Sequence, residues 1–128
     1  MNTSARPTVA VLDDDLAVLE SVSDLLESAG FVALTFSSGS ALFEGDTLHR
    51  VDCVISDICM ADMDGWQVAT LARQLRPQLP VILLTAHDRA EQMTREMALF
   101  NELHALFRKP FDAQDLLAAI TKAVARQP

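Results

Sequence analysis

Apolar residues along this chain fall into two alternating rhythms. Thr8-Val9-Ala10-Val11-Leu12 is a short, nearly continuous apolar run that stops at Asp13-Asp14-Asp15. Such a run suits a strand covered on both faces, as in a parallel sheet. From Leu16 the period changes: Leu19, Val22, Leu25, Leu26 and Ala29 fall on one helical face, and Gly30 supplies a stop. Phe31 to Phe36 predicts a second strand, and Ser37-Ser38-Gly39 a turn capping a short helix over Ala41, Leu42 and Phe43. Val51 to Ser56 predicts a third strand ending at Asp57. Asp64-Gly65 then opens a helix through Trp66, Val68, Leu71, Ala72 and Leu75, ended near Pro77. Pro80 leads into a fourth strand, Val81-Ile82-Leu83-Leu84, which closes on Thr85-Ala86-His87. Arg89 to Phe100 predicts a weakly amphipathic helix marked by Met93 and Met97, and His104 to Arg108 a short fifth strand. A last helix carries Leu116, Leu117, Ile120 and Val124 on one face.

Five strands alternating with five helices predict a doubly wound α/β domain. Right-handed crossovers make its sheet parallel. Ligands of such sheets bind beyond the carboxyl ends of the strands, so the polar residues ending each strand face one crevice. Those residues are Asp13 and Asp14, Asp57, Thr85 and Lys109. Carboxylates brought that close repel one another, and either take up protons or hold a cation. An all-oxygen donor set with few protein ligands suits Mg²⁺. A carboxylate beside such a cation can act as a nucleophile and form an aspartyl phosphate. Lys109, as a compact cation, then neutralises charge on the transferring group. Thr85 can donate its hydroxyl hydrogen to a phosphoryl oxygen.

Each residue also has a plainer reading. Asp13 to Asp15 suit a strand-to-helix turn with an N-cap, and Asp64 suits a helix cap better than a ligand. Lys109 beside a proline can be a solvated loop charge, and Thr85 at a strand end is unremarkable alone. The chemical reading rests on all of them ending strands at the same edge.

Composition narrows the classes. The chain has 128 residues, enough for one domain with one core. Acidic residues outnumber basic ones 18 to 10, a formal net charge of −8, which argues against direct nucleic-acid binding by this domain. Cys53 and Cys59 lack C-x-x-C spacing, so neither a zinc site nor a disulfide framework is expected, and a reducing compartment follows. No signal-peptide layout and no apolar run of about 18 residues is present, so the expected location is cytoplasmic, off the membrane. Residues 1–7 are expected to be a flexible leader, and 8–126 the folded domain. His49, His87 and His104 show no metal-pair spacing. His87 stands two past Thr85, where it can guide water or simply be solvated. Cys59 is expected to have a packing or loop role, and Trp66 and the methionines to be core or helix-face residues.

The blocks V-L-D-D-D, V-I-S-D-I-C-M-A-D-M-D-G, V-I-L-L-T-A-H and R-K-P-F, in this order, resemble the receiver domain of bacterial response regulators from Thr8 to about Ala125. The wording of the third- and fourth-strand blocks is nearest to receivers that precede a helix-turn-helix output domain. The resemblance implies a flavodoxin-like (βα)5 fold with strand order 2-1-3-4-5. It implies that Asp57 accepts a phosphoryl group from a sensor histidine kinase or phosphotransfer protein. Mg²⁺ would be bound directly by Asp14, Asp57 and the backbone carbonyl of Cys59, with Asp13 acting through water. Thr85 and Lys109 would sense the phosphoryl group, and the fourth helix, fifth strand and last helix would form the output and possible homodimer surface. Such a domain assists its own phosphorylation and dephosphorylation without being a turnover enzyme.

Some positions depart from the family pattern. Ala61 stands where proline is usual, and Glu102-Leu103 where a small Gly-Ala pair is usual. Leu106 occupies the place of the switch aromatic; it lacks the shape and polar tip for an inward swing, so Thr85 is expected to move with little change at Leu106. The Lys109-Pro110 bond is expected to be cis, at a cost of roughly 0.5–1 kcal/mol. Two other functions compete. A haloacid-dehalogenase-like phosphohydrolase would use Asp13 as nucleophile, although Ala17 stands where that pattern wants Thr or Val. A binding module that kept only the fold would not bind Mg²⁺. The sequence is expected to be a stand-alone receiver or one piece of a longer regulator.

Overall fold

The computed structural model describes residues 6–85, 105–109 and 111–125, with Ala105, Leu106 and Arg108 described by backbone alone. The expected helix over Arg89–Phe100, His87 and the Lys109-Pro110 bond lie outside the described residues.

Strands β1 (Thr8–Leu12), β2 (Val32–Phe36), β3 (Cys53–Asp57), β4 (Val81–Thr85) and β5 (Ala105–Arg108) form one parallel sheet in the order β2-β1-β3-β4-β5. The order 2-1-3-4 agrees with the sequence reading. Helices α1 (Leu16–Ser28), α2 (Gly39–Leu42), α3 (Gly65–Leu75) and a C-terminal helix (Ala113–Ala125) connect or flank the strands. A 3₁₀ turn at Thr47–Arg50, which no periodicity announced, precedes β3.

Side-chain alternation along the strands divides the core in two. Ala10, Leu12, Val54, Val81 and Leu83 pack with Leu42 of α2 and Val68, Ala69 and Ala72 of α3. Val9, Val11, Cys53, Ile55, Ile82 and Leu84 pack on the other face with Leu19, Val22 and Leu26 of α1 and Leu116 and Ile120 of the C-terminal helix. β3 and β4 are buried at every position, which is why their sequences run apolar without alternation. Truncating a large buried side chain here, such as Ile55 to alanine, removes about 2–5 kcal/mol.

Helix ends follow local chemistry. Asp15 caps α1, accepting from the Ala17 N–H at 2.9 Å. At the other end Gly30 adopts φ +92°, a left-handed conformation that glycine takes without a Cβ penalty, and Phe31 N–H returns to the Leu26 carbonyl at 3.0 Å. This turn consumes Phe31, so β2 begins at Val32. Ala29, expected on the buried face, is the exposed C-cap, and Leu16 is 72% exposed because it precedes the packed stripe. α3 opens with a reciprocal capping box between Asp64 and Gln67.

Candidate functional site

Register places the site. β1 pairs with β3 so that Leu12 stands beside Ser56; one step further, Asp13 leaves β1 next to Asp57, the last residue of β3. β3 pairs with β4 so that Asp57 stands beside Leu84, and Thr85 ends β4 one residue beyond. Thr85 pairs with Arg108 of β5, and Lys109 follows, its N–H donating to the Thr85 carbonyl at 2.8 Å. The carboxyl edge of four adjacent strands therefore carries the polar residues expected there.

Asp13, Asp14 and Asp57 each bring a carboxylate oxygen within 4.8 Å of the others. Asp13 is only 1% exposed and Thr85 2%, whereas Asp14 faces solvent. Lys109 Nζ donates to Asp13 Oδ2 at 3.0 Å and lies 3.3 Å from Asp57 Oδ1, so one ammonium bridges two carboxylates. Asp13 Oδ1 also accepts from the Asp15 N–H at 2.9 Å. Cys59 is exposed on the loop after β3, a loop position and not a packing one. Leu106 stands opposite Leu83 in the sheet; its side chain is outside the described residues.

The electrostatics carry an excess of negative charge. Burial, and next the charge of Asp13, raise the Asp57 carboxyl above its ordinary value; Lys109 offsets part of this, and Asp14 adds to it. Burial works against the Lys109 ammonium, but its hydrogen bond to Asp13 and the charges of Asp57 and Asp13 prevail, and its pKa is raised. Three carboxylates against one ammonium leave a net negative pocket lined by hard oxygens. That donor set fits a small divalent cation that keeps part of its water shell.

Two side-chain contacts escaped the sequence reading, one at this edge and one at the opposite end of β3. Asp62, in the loop after Asp57, accepts from the Gly39 and Ser40 N–H groups at the start of α2, 23 and 22 residues away. Arg76 Nη1 donates to the Leu48 and Val51 carbonyls, tying the end of α3 to the turn before β3. Neither follows from periodicity, because each joins loops through a single side chain.

A buried acid at the strand-switch edge of a doubly wound sheet, flanked by further acids and a lysine, is equipped to act as a nucleophile toward a phosphoryl group. The chain belongs to the response regulator receiver domain family, which matches residues 9–121. It is 32% identical over 120 residues to response regulator protein TodT of Pseudomonas putida, covering 94% of this chain and 52% of TodT. It is 31% identical over 121 residues to the DNA-binding transcriptional regulator NtrC of Escherichia coli, covering 93% of this chain and 25% of NtrC. The chain thus spans about half of one relative and a quarter of the other. A response regulator receiver domain from Clostridium thermocellum superposes with a TM-score of 0.82 at 30% identity, covering 94% and 95% of the two chains. Full-length FixJ from B. japonicum gives 0.81 at 28% identity, covering 95% of this chain and 59% of FixJ.

The domain is therefore a phosphoacceptor of a two-component system, related to transcriptional regulators. Receivers of this family take phosphate from histidine kinases and bind Mg²⁺ at an acidic pocket. The family match sets aside the dehalogenase-like alternative. No helix among the described residues is long and apolar enough to cross a membrane.

Proposed function

We propose that Asp57 is the phosphoryl acceptor, and that residues 8–126 form the unit that receives and reports the phosphoryl group. The observation that carries this is the position of Asp57: last residue of a fully buried strand, with the Lys109 ammonium 3.3 Å from its carboxylate. In transfer, a carboxylate oxygen of Asp57 bonds to phosphorus while the bond to the donor histidine nitrogen breaks, and the imidazole leaves with a proton. Lys109 holds the nucleophile and meets charge on the arriving oxygens. Thr85, at the adjacent strand end, donates its hydroxyl hydrogen to one of them.

Asp14, Asp57 and the Cys59 carbonyl are the proposed direct ligands of Mg²⁺, with Asp13 acting through water. Asp13 suits an indirect role because both its oxygens already accept from protein donors, Lys109 and the Asp15 N–H. When bound, Mg²⁺ supplies charge neutralisation at the phosphoryl oxygens. The proposed output is a shift at Thr85 read by the helix expected over Arg89–Phe100, β5 and the C-terminal helix, a surface that would also serve a homodimer, with Leu106 passive. The proposed setting is the cytoplasm, with a sensor histidine kinase or phosphotransfer protein as donor.

The test is a small phosphodonor, acetyl phosphate, with Mg²⁺, followed by mapping of the base-labile label. Labelling at Asp57 alone, lost in Asp57→Asn and on chelation, is expected. Equal labelling of Asp57→Asn would refute the assignment.

A further inference from the structure

The loop from Ile58 to Asp64 joins the acceptor to α3, and its neck is closed by two backbone bonds. Ile58 N–H donates to the Leu84 carbonyl at 2.9 Å, and Gly65 N–H to the Ile58 carbonyl at 2.8 Å. Between these points the chain makes an excursion through Cys59, Met60, Ala61, Asp62 and Met63 that belongs to no helix or strand. Proline, which would stiffen that excursion, is absent from it.

Asp62 anchors its far end. The two carboxylate oxygens accept separately, Oδ1 from Gly39 N–H at 3.1 Å and Oδ2 from Ser40 N–H at 3.0 Å. These are orphan donors of the first turn of α2, and Ser38, the N-cap residue, makes no side-chain cap bond of its own. The cap is thus supplied from another loop. Packing reinforces it: a Cβ on Gly39 would sit 2.9 Å from Met63 Cβ and 3.2 Å from the Met63 carbonyl oxygen, so the loop rests directly on the helix start. Hydrogen bonds from Ser40, then Gly39, hold the Asp62 carboxyl down at about 2.

We propose that Asp62 is a positioning residue for phosphoryl acceptance: by tying the acceptor loop to the start of α2, it holds the Cys59 carbonyl in place beside Asp57. The proposal rests on the reading of Asp57 and Cys59 given above. The two N–H groups at the start of α2 give the Asp62 carboxylate a local partner of its own, apart from the Asp13, Asp14 and Asp57 cluster. Supporting groups behind a metal ligand commonly change affinity by an order of magnitude or more when lost. Asp62 acts through three residues of backbone, so a smaller effect is expected.

The experiment compares the wild type with Asp62→Ala, Asp62→Asn and the double variant Ser38→Asp/Asp62→Ala. Mg²⁺ alone is titrated in high salt, which screens the lost charge, and followed by the fluorescence of Trp66 in the first turn of α3. Asp62→Ala is expected to weaken Mg²⁺ binding roughly fivefold and to speed amide exchange at residues 39–40 and 59–63. Asp62→Asn, keeping one acceptor oxygen, falls between. Ser38→Asp restores a cap from α2's own N-cap position without rejoining the loops, so protection returns at 39–40 while Mg²⁺ binding stays weak. Wild-type affinity in Asp62→Ala, or full recovery of affinity in the double variant, would leave Asp62 as an ordinary helix cap and overturn the proposal. An unaltered Mg²⁺ response in an Asp57→Asn control would instead overturn the site reading itself, and this inference with it.

Discussion

Gly65, the first residue of α3, has no room for a side chain. A Cβ there would lie 2.8 Å from the Asp57 carbonyl oxygen and 2.8 Å from Ile58 Cα, with Leu83 Cδ2 at 3.2 Å. Leucine can rotate away, but the other two atoms are backbone of the strand end that carries the acceptor. Gly65→Ala therefore forces either α3 or the end of β3 to move. Overpacking of this kind costs about 1–3 kcal/mol, while alanine replacing glycine in a helix returns roughly 0.5–1 kcal/mol. Two backbone contacts at 2.8 Å put the cost in the upper part of that range, about 2–3 kcal/mol, so the net expectation is a loss of about 1–2.5 kcal/mol, at roughly 4 °C in Tm per kcal/mol for a domain of this size. Urea unfolding followed by far-ultraviolet circular dichroism measures it, with Gly45→Ala as comparison. Gly45 has φ +61° and nothing within 4 Å of a built Cβ, so its cost is conformational and remote from the acceptor. Gly65→Ala should also slow labelling by acetyl phosphate, and Gly45→Ala should not. A Gly65→Ala protein as stable as the wild type would show that the contact yields freely, and the steric reasoning would fail.

In chelator, Asp57→Asn should raise thermal stability at neutral pH. The raised pKa of Asp57 means that its ionisation favours unfolding; the gain should shrink as the pH falls through the folded-state value and vanish below the ordinary carboxyl value of 3.8. A pH-independent gain would point to some cause other than ionisation. A maleimide reagent near pH 8 should modify Cys59 and spare Cys53 until the protein unfolds, because Cys53 is buried and its thiol is pushed up to about 12. Modification of both thiols in the native protein would contradict that burial.

Much of this architecture was legible because burial writes itself into the sequence. β3 and β4 are covered on both faces, so Cys53-Val54-Ile55 and Val81-Ile82-Leu83-Leu84 could hardly be anything but interior strands. Once the strands were placed, the parallel topology carried Asp13, Asp57, Thr85 and Lys109 to one edge without further information. The acidic helix caps, Asp15 and Asp64, were readable for the same local reason. Less legible was whatever depends on a single long-range contact. Asp62 looks like any loop acid until Gly39 and Ser40 are found beside it, and Arg76 like any surface cation until the carbonyls of Leu48 and Val51 appear. Ala29 was misplaced because the helical stripe continues in sequence one step past the point where the backbone turns away.

The bridge from Lys109 to Asp13 joins residues 96 apart, and the Thr8–Asp52 bond at the opposite end of the sheet joins residues 44 apart. Contacts of such separation close late, because the chain between them must first lose its freedom. β1 and β2 can pair within the first third of the chain, yet Asp13 then sits at a strand end with neither Asp57 nor Lys109 beside it. The pocket therefore exists only once β1, β3 and the residues after β5 have come together. A molecule in which only β1 and β2 have paired holds an incomplete set of charges, with Asp13 present and Asp57 and Lys109 still apart from it.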